Sequence, residues 1–114
     1  MESILTSIKK MLGIDESYDH FDPDIIMHIN SALMVLAQLG VGPEEGFMIE
    51  DDTSTWQDFI PEITSAKLEL VKSYIYLKVR LLFDPPLSSS VIDSINRQIA
   101  EFEWRLNVAV DPKT

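Results

Sequence analysis

The sequence predicts an all-α fold: four principal helices, a central antiparallel pair, and a long acidic loop between the second and third helices. Three observations predict it. Apolar residues recur at spacings of three and four through most of the chain, the period of a helix face. Strong breakers separate those stretches, namely Gly13, Asp22-Pro23, the glycines between Gly40 and Gly46, and Asp84-Pro85-Pro86. Alternation of the strand type is confined to a short piece at Phe47–Ile49.

The first helix runs from about Ser3 to Leu12, with Ile4, Leu5, Ile8, Met11 and Leu12 on one face and Gly13 ending it. A polar loop from Asp15 to Phe21 follows. Asp22-Pro23-Asp24 opens the second helix: Asp22 caps the free N–H groups, Pro23 takes the first helical position, and Asp24 favours the positive dipole end. Its buried stripe is Ile25, Ile26, Ile29, Leu33 and Leu36, and it stops at Gly40. Residues 40–61 hold six acids, Glu44, Glu45, Glu50, Asp51, Asp52 and Asp58, and no base. Irregular connections of this length usually carry function. Within it, Thr53 or Ser54 is expected to cap a turn that returns Trp56, Phe59 and Ile60 to the core.

The third helix, Glu62 to Phe83, is about 33 Å long at the ordinary helical rise. It carries two apolar stripes roughly 130° apart. One is Ile63, Ala66, Leu70, Tyr74, Leu77 and Leu81; the other is Leu68, Val71, Ile75, Val79 and Leu82. A surface helix needs one stripe, so the second is expected to meet another subunit. The fourth helix begins at Ser90, with Ser90 and Asp93 approximating a capping box. Val91, Ile92, Ile95, Ile99, Phe102 and Leu106 face inward, and Trp104 lies on the far side near Ala100 and Val108. The tail from Val110 to Thr114 is expected to be extended, since Pro112 disfavours helix before it.

A chain of 114 residues reads as a single helical domain over 1–114. It contains no cysteine, so a disulfide framework and thiolate chemistry are excluded. No signal segment and no membrane span are expected. The net charge of −10 is uneven. Residues 1–66 hold 13 acids and two bases, whereas residues 67–114 hold six acids and seven bases. The first half is therefore an anionic surface, which argues against gripping nucleic acid through its phosphates.

Few residues suggest chemistry. The loop acids Asp15, Glu16, Asp19, Asp22 and Asp24 with His20 lack calcium-loop spacing, so a solvated loop is the simpler reading. His20 and His28 do not have zinc-helix spacing, no Ser or Thr sits in a nucleophile motif, and Glu101 and Glu103 point to different sides of a helix. No metal, no cofactor and no enzymatic activity are expected. Interaction surface is what remains. Tyr76, Arg80, Arg97, Trp104 and Arg105 are candidates for subunit or partner contacts, because aromatic side chains and arginine concentrate at interfaces. Phe47, Ile49, Glu50, Asp51 and Asp52 are candidates for a mobile segment that touches a neighbour or lines a channel.

In order along the chain stand a first helix ending Leu12-Gly13-Ile14, Phe21-Asp22-Pro23-Asp24, and Thr55-Trp56-Gln57-Asp58-Phe59. After them come the long Val71–Pro86 segment ending in Asp84-Pro85-Pro86, and the closing run Arg97–Asn107 with its Glu101-Phe102-Glu103-Trp104-Arg105. Taken together over nearly the whole chain, these resemble the phage head–tail connector (adaptor) family of long-tailed bacteriophages. The resemblance implies a virion protein made in the bacterial host cytoplasm, with no catalytic residues. It implies a ring homo-oligomer of about a dozen copies that joins the portal protein to the next connector or tail protein. Such a ring extends the DNA channel, passing DNA without gripping it. The alternative from another class is an acidic DNA mimic that inhibits a nucleic-acid enzyme.

Overall fold

The computed structural model describes the backbone of residues 2–110 and the side chains of residues 2–108. Five helices follow one another: α1 (Ile4–Leu12), α2 (Asp22–Gln38), α3 (Trp56–Phe59), α4 (Ser65–Phe83) and α5 (Ser89–Val110). Among the described residues there is no strand, only one isolated antiparallel bridge between Ser3 and Thr55. The fold is all-helical as expected, with the single turn of α3 added to the four longer helices.

Local chemistry sets each boundary. Ser3 accepts from the Thr6 N–H at 3.2 Å to start α1, and Gly13, at φ 81°, closes it with N–H groups turned back on Lys9 and Lys10 carbonyls. Thr55, one residue past the expected caps, forms a full capping box with Asp58 and starts α3. Thr64 accepts from the Lys67 N–H, so α4 begins at Ser65 rather than Glu62. The expected box at Ser90 is corrected too: Ser88 Oγ accepts from the Val91 N–H at 3.4 Å, and α5 starts at Ser89. That helix continues through Val110; the remainder of the expected extended tail lies outside the described residues.

α4 is the centre of the molecule. It packs against α1 and α2 on one flank and α5 on another. Phe21, at the start of α2, meets Phe83, at the end of α4, edge to face at 5.2 Å, which makes α2 and α4 antiparallel. After the Asp84-Pro85-Pro86 stop, α5 runs back along α4, and the Tyr74 hydroxyl donates to Glu103 at 2.8 Å between them. Val71, Tyr74, Ile75, Leu77 and Val79 are all buried.

This overturns the expectation drawn from the two stripes. Both stripes of the long helix are covered over its middle by this chain's own helices, with only ends such as Leu82 left open. A five-helix arrangement can surround one helix, whereas a two-layer pair, the picture behind the expectation, cannot. α3 finishes the core from the other end. Its Trp56 and Phe59 are buried, and Trp56 Nε1 donates to Ser7 Oγ at 3.0 Å, tying the 54–59 turn to α1.

Candidate assembly surfaces

The start of α2 is positioned by an unusual residue. Lys9 is 2% exposed, and its ammonium donates to the carbonyls of Glu16 at 3.0 Å and Tyr18 at 2.8 Å. Its third partner is the Asp22 carboxylate at 2.9 Å. Two hydrogen-bonded carbonyls and an opposite charge at contact distance are what make the burial of this ammonium tolerable. Asp22 therefore does not cap α2 as expected. Phe21 is the cap residue and makes no side-chain cap bond, while Asp22 is committed to Lys9. The expected solvated loop at 15–21 is thus pinned from beneath.

With its inner stripe buried, α2 presents an outer one. Met27 and Met34 lie seven residues apart on the side opposite Ile25, and they are 57% and 59% exposed. Met48, at 66%, comes alongside from the following loop. Two adjoining depressions share Met34, Gln38 and Met48; one continues to Pro23 and Ile26, the other to Glu44 and Glu45. Beyond the Pro23 end stand Glu50, Asp51 and Asp52. The result is an apolar groove with acids at both ends and no lysine or arginine between residues 11 and 66.

The loop that completes this groove is held, not loose. The Asn30 side chain accepts from the Ile49 N–H at 2.8 Å and donates to the Ile49 carbonyl at 3.0 Å, so an amide takes the place of a partner strand. Ile49 is buried and Phe47 packs on Phe59 at 5.4 Å. The contact expected of Ile49 is corrected accordingly: it faces the core, because the extended Phe47–Ile49 segment alternates and one side must go in. Met48 is the residue that faces out. Glu50, Asp51 and Asp52 are exposed, and hydrogen bonds from the Thr53 hydroxyl and N–H hold the Asp51 carboxyl below its usual range.

The remaining expected contact residues divide between two helices. On α4, Tyr76 is half-buried and its hydroxyl accepts from Arg80 Nη1 at 3.2 Å, while Arg80 Nε reaches the Asp84 carbonyl at 3.4 Å. These bonds tether both side chains near the helix end. On α5, Trp104 is 67% exposed and Val108 is 50% exposed, and both lie on one outer stripe with Ala100 and Arg97. Arg105 pairs with Glu101 one turn away on the surface. Arg97 is exposed, with no ion pair among the described residues.

The methionine groove was not anticipated, although its signal is in the sequence. Met27 and Met34 at i and i+7, on the face away from an already complete apolar stripe, have no covering partner in their own helix. No group of three or more His, Cys, Asp or Glu side chains able to hold a metal occurs among the described residues, nor does a helix long and apolar enough to cross a membrane.

A family model described as phage connector protein matches residues 4–113. No curated protein and no solved structure matches the chain.

Proposed function

This chain belongs to the phage connector protein family, a family of structural proteins at the head–tail junction of the virion, and from that premise we propose that it is a ring subunit. The ring would sit between the portal protein and the next connector or tail component and extend the DNA channel. The match over residues 4–113 carries this reading.

Two features of the fold support it. Several large apolar side chains stay exposed after folding, and among them are two separate groups, Met27, Met34 and Met48 at α2 and Trp104 with Val108 on α5. A cyclic assembly needs two unlike surfaces on each subunit. The exposed acids Glu50, Asp51 and Asp52 also suit a wall beside which a polyanion slides without phosphate contacts. The DNA-mimic alternative rests on composition alone.

The test is genetic and visual. Particles assembled without this chain should contain filled heads and free tails, and supplying the chain should restore joining. Tailed particles formed normally in its absence would refute the proposal. At the level of side chains, Trp104→Ala should impair ring formation or portal binding while the helix content is kept.

A further inference from the structure

Resting on the ring-subunit reading, we propose which two surfaces meet: the methionine groove of α2 receives the outer face of α5 from a second copy of the chain. Trp104 is the anchor. It stands on α5 with Val108 beside it and Arg97 two turns toward the N-terminus.

Three properties of the surfaces agree. Each is apolar at its centre, Met27, Met34 and Met48 on one and Trp104 with Val108 on the other, and all five are at least half exposed. Methionine side chains are flexible and polarisable, and they favour contact with aromatic rings. Their charges are complementary: the groove has Glu44 and Glu45 at one end and Glu50, Asp51 and Asp52 at the other, without a base, whereas the tryptophan shares its stripe with Arg97, which has no ion pair among the described residues, Arg105 being paired with Glu101. Finally, α2 and α5 lie along different flanks of α4, so one subunit can offer its groove to one neighbour and its α5 face to another. Such a contact is head to tail. A groove-to-groove pairing would bring five acids against five, and like charges oppose it.

The absence of cysteine from the chain permits a direct test. One full-length variant carries Met48→Cys and another Val108→Cys, and each is treated with a short bismaleimide cross-linker at high protein concentration, alone and mixed. The expected result is a cross-linked dimer in the mixture and none from either variant alone. Adding Trp104→Ala to the Val108→Cys chain should lower the yield about tenfold or more. A second measurement pairs Met34→Glu with Trp104→Ala: each alone should fail to self-associate, while their mixture should stop at a heterodimer, using the one intact groove and the one intact tryptophan.

Cross-linked homodimers, no cross-linked product in any sample, or two variants that cannot complement each other would overturn the proposal. Circular dichroism of each variant separates these outcomes from misfolding. If the cross-link is absent while the chain still joins heads to tails, the pairing of surfaces falls and the connector role stands. If the cross-link forms but joining never depends on the chain, the connector reading falls instead.

Discussion

Lys9 shows how much a single side chain decides in this protein. Its ammonium holds Glu16, Tyr18 and Asp22, and so fixes the 15–22 loop and the first turn of α2. Lys9→Met leaves the Asp22 carboxylate and two carbonyls without their donor, and should destabilise the fold by about 3 kcal/mol in urea denaturation. Gly42 is equally exacting. Its φ is 90°, and a Cβ there would lie 2.4 Å from the Phe59 ring. Gly42→Ala should therefore cost about 3 kcal/mol, combining the left-handed backbone with a displaced buried aromatic. Gly46 has φ 91° but nothing within 4 Å of a Cβ, so Gly46→Ala should cost only about 1 kcal/mol by the same assay. The difference between the two isolates the clash with Phe59. Neither role was readable in advance: lysine burial depends on carbonyls supplied by distant turns, and Asp22 before a proline has every local mark of a cap.

At the scale of elements, the helices were legible and their neighbours were not. Periodicity and breakers located α1, α2, α4 and α5 within a few residues, because stripes and stop signals are local. α3 was expected only as a returning turn, since four residues cannot show a period. The two stripes of α4 correctly implied cover on two sides. They could not say that this chain supplies both covers. The α4–α5 junction makes a measurable prediction. Burial of the Tyr74 phenol, followed by its bond to the Glu103 carboxylate, raises its pKa well above the ordinary tyrosine value. The folded state then keeps a proton that the unfolded chain releases, so stability is full below the ordinary pKa of about 10 and declines as pH rises beyond it. Tyr74→Phe should be less stable at neutral pH, having lost the bond to Glu103. Its stability should also fall less steeply with pH above about 10, as measured by denaturation at a series of alkaline pH values. Equal slopes in the two proteins would show that Tyr74 is not sequestered.

For the whole molecule, folding leaves a particular remainder. The core consumes both sides of α4, yet Met27 and Met34 on α2, Met48 in the loop after it, and Trp104 and Val108 on α5 stay in water. Scattered exposed apolar residues need no explanation, but a groove rimmed by acids and a tryptophan on one stripe with Arg97 do. A connector family implies contacts with other head or tail proteins, and in our proposal these surfaces make them. Trp104 was legible from sequence because it falls off the inner arc of its helix, and tryptophan is rarely left exposed without purpose. The methionines were not legible as a surface, because isolated methionines outside an apolar stripe carry no local sign of what covers them. Charge patterning adds a prediction at this scale. If the acidic groove ends attract the Arg97-bearing face, Arg97→Glu should weaken self-association, and added salt should weaken the wild-type contact more than the variant's. Sedimentation across a salt series measures both. A self-association that ignores salt and the Arg97 substitution would place the contact elsewhere.

Electron cryomicroscopy of the intact particle's neck addresses the connector role without intermediaries. We expect a closed collar of this helical chain between portal and tail, each α5 lying along α2 of the adjoining subunit. A neck density into which the five-helix fold cannot be placed, in a particle that is otherwise complete, would contradict it.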